Sequence, residues 1–267
     1  MSIDFPTNTV VLIIAAMIGA GAGSWFILSQ GLERLPIASH VKRVWRWGAA
    51  IVLLAWLLAR LLLAMNPSVT TVLATPYTFI SLIFLVLGLL AGILLLLSPF
   101  FRQIIRAAPA TWLVGIHAIR FAGFNFLALM DMNLLPAGFA LPAGYGDMLV
   151  ALLALGVVYL LAKRKPYARA LAIGWNGLGL LDFAVALTTA FIYNGPFVDQ
   201  LAASGVSLLY LNYVFLIPSF AVPLFGLLHI YSLFQMLSAQ ADRTKQDARE
   251  LGEARADSRR ILSSPRE

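Results

Sequence analysis

Tyr77–Ser98 reads YTFISLIFLVLGLLAGILLLLS, an apolar run without a single charged side chain. About 20 such residues in an α-helix cover the roughly 30 Å hydrocarbon layer of a bilayer. NPSVTTVLAT precedes the run and PFFRQIIRAA follows it. The pattern recurs at Thr9–Leu28, Trp47–Met65, Thr111–Met130, Asp147–Ala162, Leu171–Tyr193 and Val206–Met236. The composition agrees, with 61% hydrophobic and 12% charged residues, about half the charged share of a soluble domain. The expected fold is therefore all-α. It is a polytopic bundle of seven transmembrane helices over residues 1–236, followed by a charged tail over 237–267.

The basic residues assign an orientation. Arg34, Lys42, Arg43 and Arg46 follow the first span, Arg102 and Arg106 the third, and Lys163, Arg164, Lys165 and Arg169 the fifth; seven more lie in the tail, and Arg60 and Arg120 fall within spans. The alternate connections carry none. The positive-inside rule then places the N-terminus outside and the C-terminus in the cytoplasm. The leader MSIDFPTN has an acid and no base, the wrong flank for a cleaved signal. The net charge of +7 is thus a topology signal and calls for no nucleic acid. With no cysteine in the chain, disulfides, iron–sulfur clusters and thiolate zinc sites are excluded.

One connection stands out. Leu135–Asp147, LPAGFALPAGYGD, repeats a Leu-Pro-Ala-Gly-aromatic unit and ends on a carboxylate. Proline cannot continue a helix, so the stretch reads as an external connection between the fourth and fifth spans. Two forms stay open: a cap lying along the interface with Asp147 as N-cap, or a partly re-entrant lid with Asp147 at its lip.

Charges inside a bilayer cost roughly 2.5–3.5 kcal/mol each on insertion scales, so each calls for a partner or a function. Arg120 lies about 16 Å along the fourth span and Asp182 about 18 Å along the sixth, counted from the cytoplasmic side at 1.5 Å per residue. They are expected to pair. Trp175, Gly179 and Asp182 share one helical face, and His117 shares a face with Arg120. Asn176 is next to Trp175 but points away from Asp182. Arg60, in the outer part of the second span, either pairs with Asp147 as an outer gate or snorkels outward. Asn212 and Tyr213 add polar groups to the seventh span, where Pro218 and Pro223 should loosen the helix.

Several chemistries fail on spacing. No lysine falls in the last span to hold retinal, and no histidine pair has zinc-ligand spacing. His117 and His229 fall at similar depth, so they are either paired axial haem ligands or two partly satisfied core histidines. Phosphate-cradling loops and nucleophilic triads are absent.

Arg120–Gly123, Leu135–Asp147 and Gly174–Asp182 together resemble a family of uncharacterised bacterial multi-pass membrane proteins. The resemblance implies no activity. The expected function is binding or transport of a small polar or anionic solute, or of protons. Arg120, Asp182, Trp175, Asn176, Asn212 and Tyr213 would form the site, with Arg60 and Asp147 as outer gate. The alternative is a sensing or accessory subunit without transport, and a third reading is a haem-binding redox protein through His117 and His229. No catalytic residue, metal or other cofactor is assigned, and an enzyme is not favoured. The expected setting is the bacterial inner (plasma) membrane, with lipid and a small solute as partners and room for a homo-oligomer.

Overall fold

The computed structural model describes residues 7–65, 76–195, 200 and 213–239. Among them all regular structure is helical: α1 (Thr7–Glu33), α2 (Ser39–Ala64), α3 (Pro76–Leu95), α4 (Pro99–Ala107), α5 (Ala110–Asp131), α6 (Ala137–Ala162), α7 (Ala168–Ile192) and α8 (Ile217–Ala239). Helices α1, α2, α5, α6, α7 and α8 are each long and apolar enough to cross a membrane. The bent pair of α3 and α4 makes a seventh if it is taken as one span. Expected features of Val206–Asn212 and of the tail beyond Ala239 lie outside the described residues.

The expected connections prove to be largely helix. Helix α1 continues past the expected Leu28 to Glu33, and α2 starts at Ser39, ahead of the expected Trp47. Lys42 and Arg46, in the first turns of α2, reach back to the Glu33 carboxylate. After α3 the chain turns through 92° into α4. Ser98 caps that turn by accepting from Phe101 N, and Pro99 takes the first helical position, where its missing N–H leaves no gap. Helix α4 buries Phe101, Ile104 and Ile105 on one face and exposes Arg102 and Arg106 on the other. It lies across one end of the bundle. Gln235 Nε2 of α8 caps its carbonyl end, donating to Ile105 O at 2.7 Å and Ala108 O at 2.6 Å. Arg34 donates to Ala107 O at 3.1 Å. Arg34 in the turn after α1, Lys42, Arg43 and Arg46 at the start of α2, and Arg102 and Arg106 of α4 therefore gather at that same end.

Leu135–Asp147 is neither an interfacial cap nor a re-entrant lid. Pro136 is the N-cap of α6, Pro142 sits within the helix, and Asp147 lies well inside it. Only a short turn precedes it, closed by Asn133 in the left-handed conformation with Leu134 N bonded to Leu129 O. The small residues allow close packing. Ala140 and Ala143 are buried, and a Cβ on Gly138 would run into the Tyr193 ring.

Two helices depart from α geometry at polar groups. In α5 the stretch Ile116–Gly123 is a 3₁₀-helix, in which side chains three apart eclipse. That brings His117 and Arg120 onto one line. In α8 a π-helical turn spans Ile217–Ala221, at Pro218. It presents Ser219 to α2: Arg60 Nε donates to Ser219 Oγ at 2.7 Å, and Trp56 Nε1 to Ser219 O at 3.1 Å.

Candidate functional site

The polar side chains of α5, α6, α7 and α8 meet in one network centred on Arg120, whose side chain is only 2% exposed. Its Nε donates to Asp147 Oδ1 of α6 at 2.6 Å. Its Nη2 bonds Asp182 Oδ2 of α7, and its Nη1 lies 3.1 Å from His229 Nε2 of α8. The guanidinium also stacks over the Phe183 ring, 4.1 Å from its centroid, a favourable placement for a cation. All three nitrogens of the fork are engaged.

The network dictates the state of His229. Arginine has donors only, so His229 Nε2 is the acceptor and carries no proton. Nδ1 then bears the hydrogen and donates to Asn176 Oδ1 at 2.9 Å. Asn176 completes the chain by donating through Nδ2 to Ser232 Oγ and to Ala172 O. The imidazole is therefore neutral, and its tautomer is held from both sides.

Glycines make the convergence possible. A Cβ on Gly146 would strike Asp182 Oδ1, one on Gly123 would strike Asp147 Cβ, and one on Gly179 would strike the His229 ring. The glycines of the doubled motif thus let α6 come close enough to α5 and α7 for two carboxylates to share one arginine.

Counting charge, one guanidinium faces two carboxylates and a neutral imidazole. With both acids ionised the cluster carries one uncompensated negative charge at the middle of an apolar bundle. Such a charge costs several kcal/mol when buried. A bound proton or a cation removes that cost.

His117 adjoins this network without joining it. It is fully buried, neither ring nitrogen has a hydrogen-bond partner among the described residues, and its ring lies against that of His229 with centroids 3.9 Å apart and planes tilted by 38°. Trp175 meets His117 edge-on and donates its indole N–H to Val150 O at 3.0 Å. This geometry does not fit paired axial haem ligation. Iron needs a ring nitrogen from opposite sides of the haem plane, whereas these rings lie against each other with planes 38° apart and both nitrogens of His229 are occupied.

Two spaces adjoin the cluster. A cavity of about 250 Å³ lies toward the end of the bundle away from the basic residues, with Asp147 and Phe183 in its wall. A smaller one of about 50 Å³ touches Arg120, Asn125 and Asp147; a water molecule occupies about 30 Å³ of liquid. A larger apolar cavity of about 650 Å³ between α1, α2, α3 and α8 has no charged group in its wall.

Arg120 and Asp182 do meet, as their matching depths suggested. Asp147 does not pair with Arg60: its carboxylate belongs to Arg120, while Arg60 is bound to Ser219 and lies 5.0 Å from the Phe84 ring centroid. No Arg60–Asp147 gate exists, because α6 begins a full ten residues earlier than expected and carries Asp147 to mid-bundle. Asn176 holds His229, and Trp175 walls the histidines. Tyr213 packs against the apolar core, and Asn212 lies outside the described residues. The roles of His229 in the network and of Ser232 escaped the sequence reading, although their i, i+3 spacing on an apolar span was the available signal.

Residues 77–237 match the model of a family described as "Domain of unknown function (DUF8737)". The chain belongs to that family. No curated protein and no solved structure matches it. The family match agrees with the resemblance to an uncharacterised family; its description carries neither the three-part motif nor a bacterial origin. The family region of the chain contains every member of the Arg120 network, whereas Arg60 and helices α1 and α2 precede it.

Proposed function

We propose that this family member is a bacterial inner-membrane protein that takes up and releases a proton at the Arg120–Asp147–Asp182 cluster and couples that proton to movement of a small solute. The observation that carries the reading is one buried guanidinium shared by two carboxylates. The cluster is neutral only when it holds one extra positive charge, and a proton shared by the two acids supplies it with no change of packing. An anion is disfavoured, since the three nitrogens of Arg120 are already engaged and a further negative charge would raise the deficit. His117 is the next acceptor toward the basic end, with two buried nitrogens in want of partners. The gathering of Arg34, Lys42, Arg46, Arg102 and Arg106 at one end supports a cytoplasmic placement of that end, an external N-terminus and seven spans.

Infrared titration of the protein in lipid nanodiscs tests the proton. Wild type is expected to show one carboxylic-acid C=O band at neutral pH. The band should vanish in Asp147→Asn and also in Asp182→Asn, since either change leaves a neutral arginine–carboxylate pair. Proteoliposomes loaded with a pH-sensitive dye then report proton movement under an imposed gradient of an organic cation, expected in wild type and lost in Asp182→Asn and Arg120→Gln. A wild-type spectrum without the band would end the proton-site reading. Wild-type vesicles no faster than protein-free ones would end the transport reading.

A further inference from the structure

We infer that the cavity of about 250 Å³ beside Asp147 is a binding site for a lipophilic organic ammonium, whose charged head meets Asp147 and whose hydrocarbon body fills the apolar remainder. The inference rests on the proposal that Asp147 and Asp182 share a proton, and it names the ligand that exchanges with that proton.

Three independent features select this class. The first is the acid itself. Asp147 Oδ1 accepts from Arg120, while Oδ2 has no hydrogen-bond partner among the described residues and the side chain remains 18% exposed in a cavity wall. An ionised carboxylate is acceptor-only, so the group that completes it carries a donor. The second is Ser81. Its hydroxyl oxygen is buried without a partner, and the residue lines the same cavity. With Asp147, Ser81, Tyr193 and Asn194 as the polar residues of its described lining, the largely apolar chamber suits a ligand with a single polar head. The third is the aromatic wall. Phe126, Phe139, Phe183, Tyr193 and Phe215 all line the space. Aromatic faces attract cations, and aromatic cages recur in the recognition of ammonium ligands.

Size and charge narrow the class further. A dry apolar cavity of about 150 Å³ holds benzene, so this one accommodates a phenyl group with a short chain. A bound ammonium brings one positive charge into a cluster that lacks one. It therefore takes the place of the shared proton: one ammonium in, one proton out, with no net charge moved into the bundle. Leu82 and Phe191, exposed at the outer surface of the bundle, stand in the cavity wall. That position gives an amphiphile access from the lipid.

The probe is 4-phenylbutylammonium, compared with 4-phenylbutanol and 4-phenylbutyrate, by titration calorimetry on the full chain in nanodiscs with empty nanodiscs as blank. Runs in two buffers of different ionisation enthalpy count the protons released. The expected result is saturable binding of the amine with about one proton released. The alcohol and the carboxylate should bind roughly 30-fold more weakly or worse, the loss that follows when a buried carboxylate is left unpaired. Ala186→Phe, which fills the cavity from α7 one turn beyond Asp182, should weaken amine binding at least about tenfold while leaving the carboxylic-acid band of the wild type in place. Equal affinity for amine and alcohol would overturn the inference, as would wild-type affinity in Ala186→Phe. A wild-type carboxylic-acid band with no saturable amine binding would sink the ligand class and leave the proton site standing. Saturable amine binding with no proton released would sink the proton reading and leave the cavity.

Discussion

Replacing Gly146 by alanine puts the geometry of the cluster under direct test. A methyl group there lands on Asp182 Oδ1, and Asp182 can yield only by swinging off Arg120. The lost bond is charge-assisted, worth about 1.5–3 kcal/mol. Alanine in a helix returns about 0.5–1 kcal/mol relative to glycine. The net expectation is destabilisation of about 1.5 kcal/mol, which for a chain of this size lowers Tm by about 3–6 °C. The same helix supplies the control. A Cβ at Gly156 meets nothing within 4 Å, so Gly156→Ala should leave Tm unchanged or raise it by a few degrees. Thermal unfolding in nanodiscs reads both. In an Asp182→Ala background the clash disappears, and Gly146→Ala should then behave like Gly156→Ala; this cycle isolates the pairwise term. Equal shifts for the two alanines in wild type would refute the packing argument. So would a Gly146→Ala penalty that survives unchanged without the Asp182 carboxylate.

Other changes probe the remaining parts. Asn176→Ala strands His229 Nδ1 and Ser232 in a dry core, so stability should fall by about 1–3 kcal/mol, seen as a lower Tm. His117→Phe replaces two unpartnered ring nitrogens with carbon. Its stability should stay within about 1 kcal/mol of wild type or rise, while dye-loaded vesicles lose proton movement; a large fall in Tm with movement intact would contradict both parts. Gln235→Leu uncaps the carbonyl end of α4, and hydrogen exchange in Pro99–Ala107 should accelerate about tenfold or more for a loss of 1.4 kcal/mol.

The extent to which the sequence disclosed this arrangement follows from which coordinate a linear chain encodes. Depth in the membrane is a count of residues multiplied by a fixed rise, so Arg120 and Asp182 could be matched without knowing any packing. Rotation about a helix and the choice of neighbour depend on tertiary contacts, and there the reading stopped short. It set His229 beside His117 without seeing Arg120 between α8 and the two acids. The proline rule misled at α6. Pro142 lies early in the helix, where the only hydrogen bond it forfeits is to the Gly138 carbonyl, so the helix tolerates it. A better signal was present. Ala140, Gly144, Asp147, Ala151 and Ala154 recur at i, i+4, i+7, i+11 and i+14, a stripe of small residues interrupted by one acid. Such a stripe is what close helix packing in a membrane uses, and it places Asp147 on the packed face. The right-angle turn into α4 was equally available, since Phe101, Ile104 and Ile105 against Arg102 and Arg106 make an amphipathic pattern too short to cross a bilayer.

The composition of the cluster also bears on whether it is a bolt between helices or a working centre. A bolt would be served by one arginine and one acid, and apolar packing often stabilises as well as a buried ion pair. Here the chain instead places glycine at 123, 144, 146 and 179 around the charges, each costing about 0.5–1 kcal/mol within a helix relative to alanine. It adds a second carboxylate whose ionisation would leave the bundle with a net charge, and it sets beside them a histidine with no partner. The second acid and the partnerless histidine lower stability, and the glycines give up helix propensity to let the charges converge. All three fit the proposed site, which alternates between holding a proton and holding a cation. Asp147 stands in the wall of the apolar cavity, and His117 lies one turn from Arg120 toward the basic end. An acid in the cavity wall and a partnerless histidine on the basic side of one shared arginine are what the proposed exchange would use.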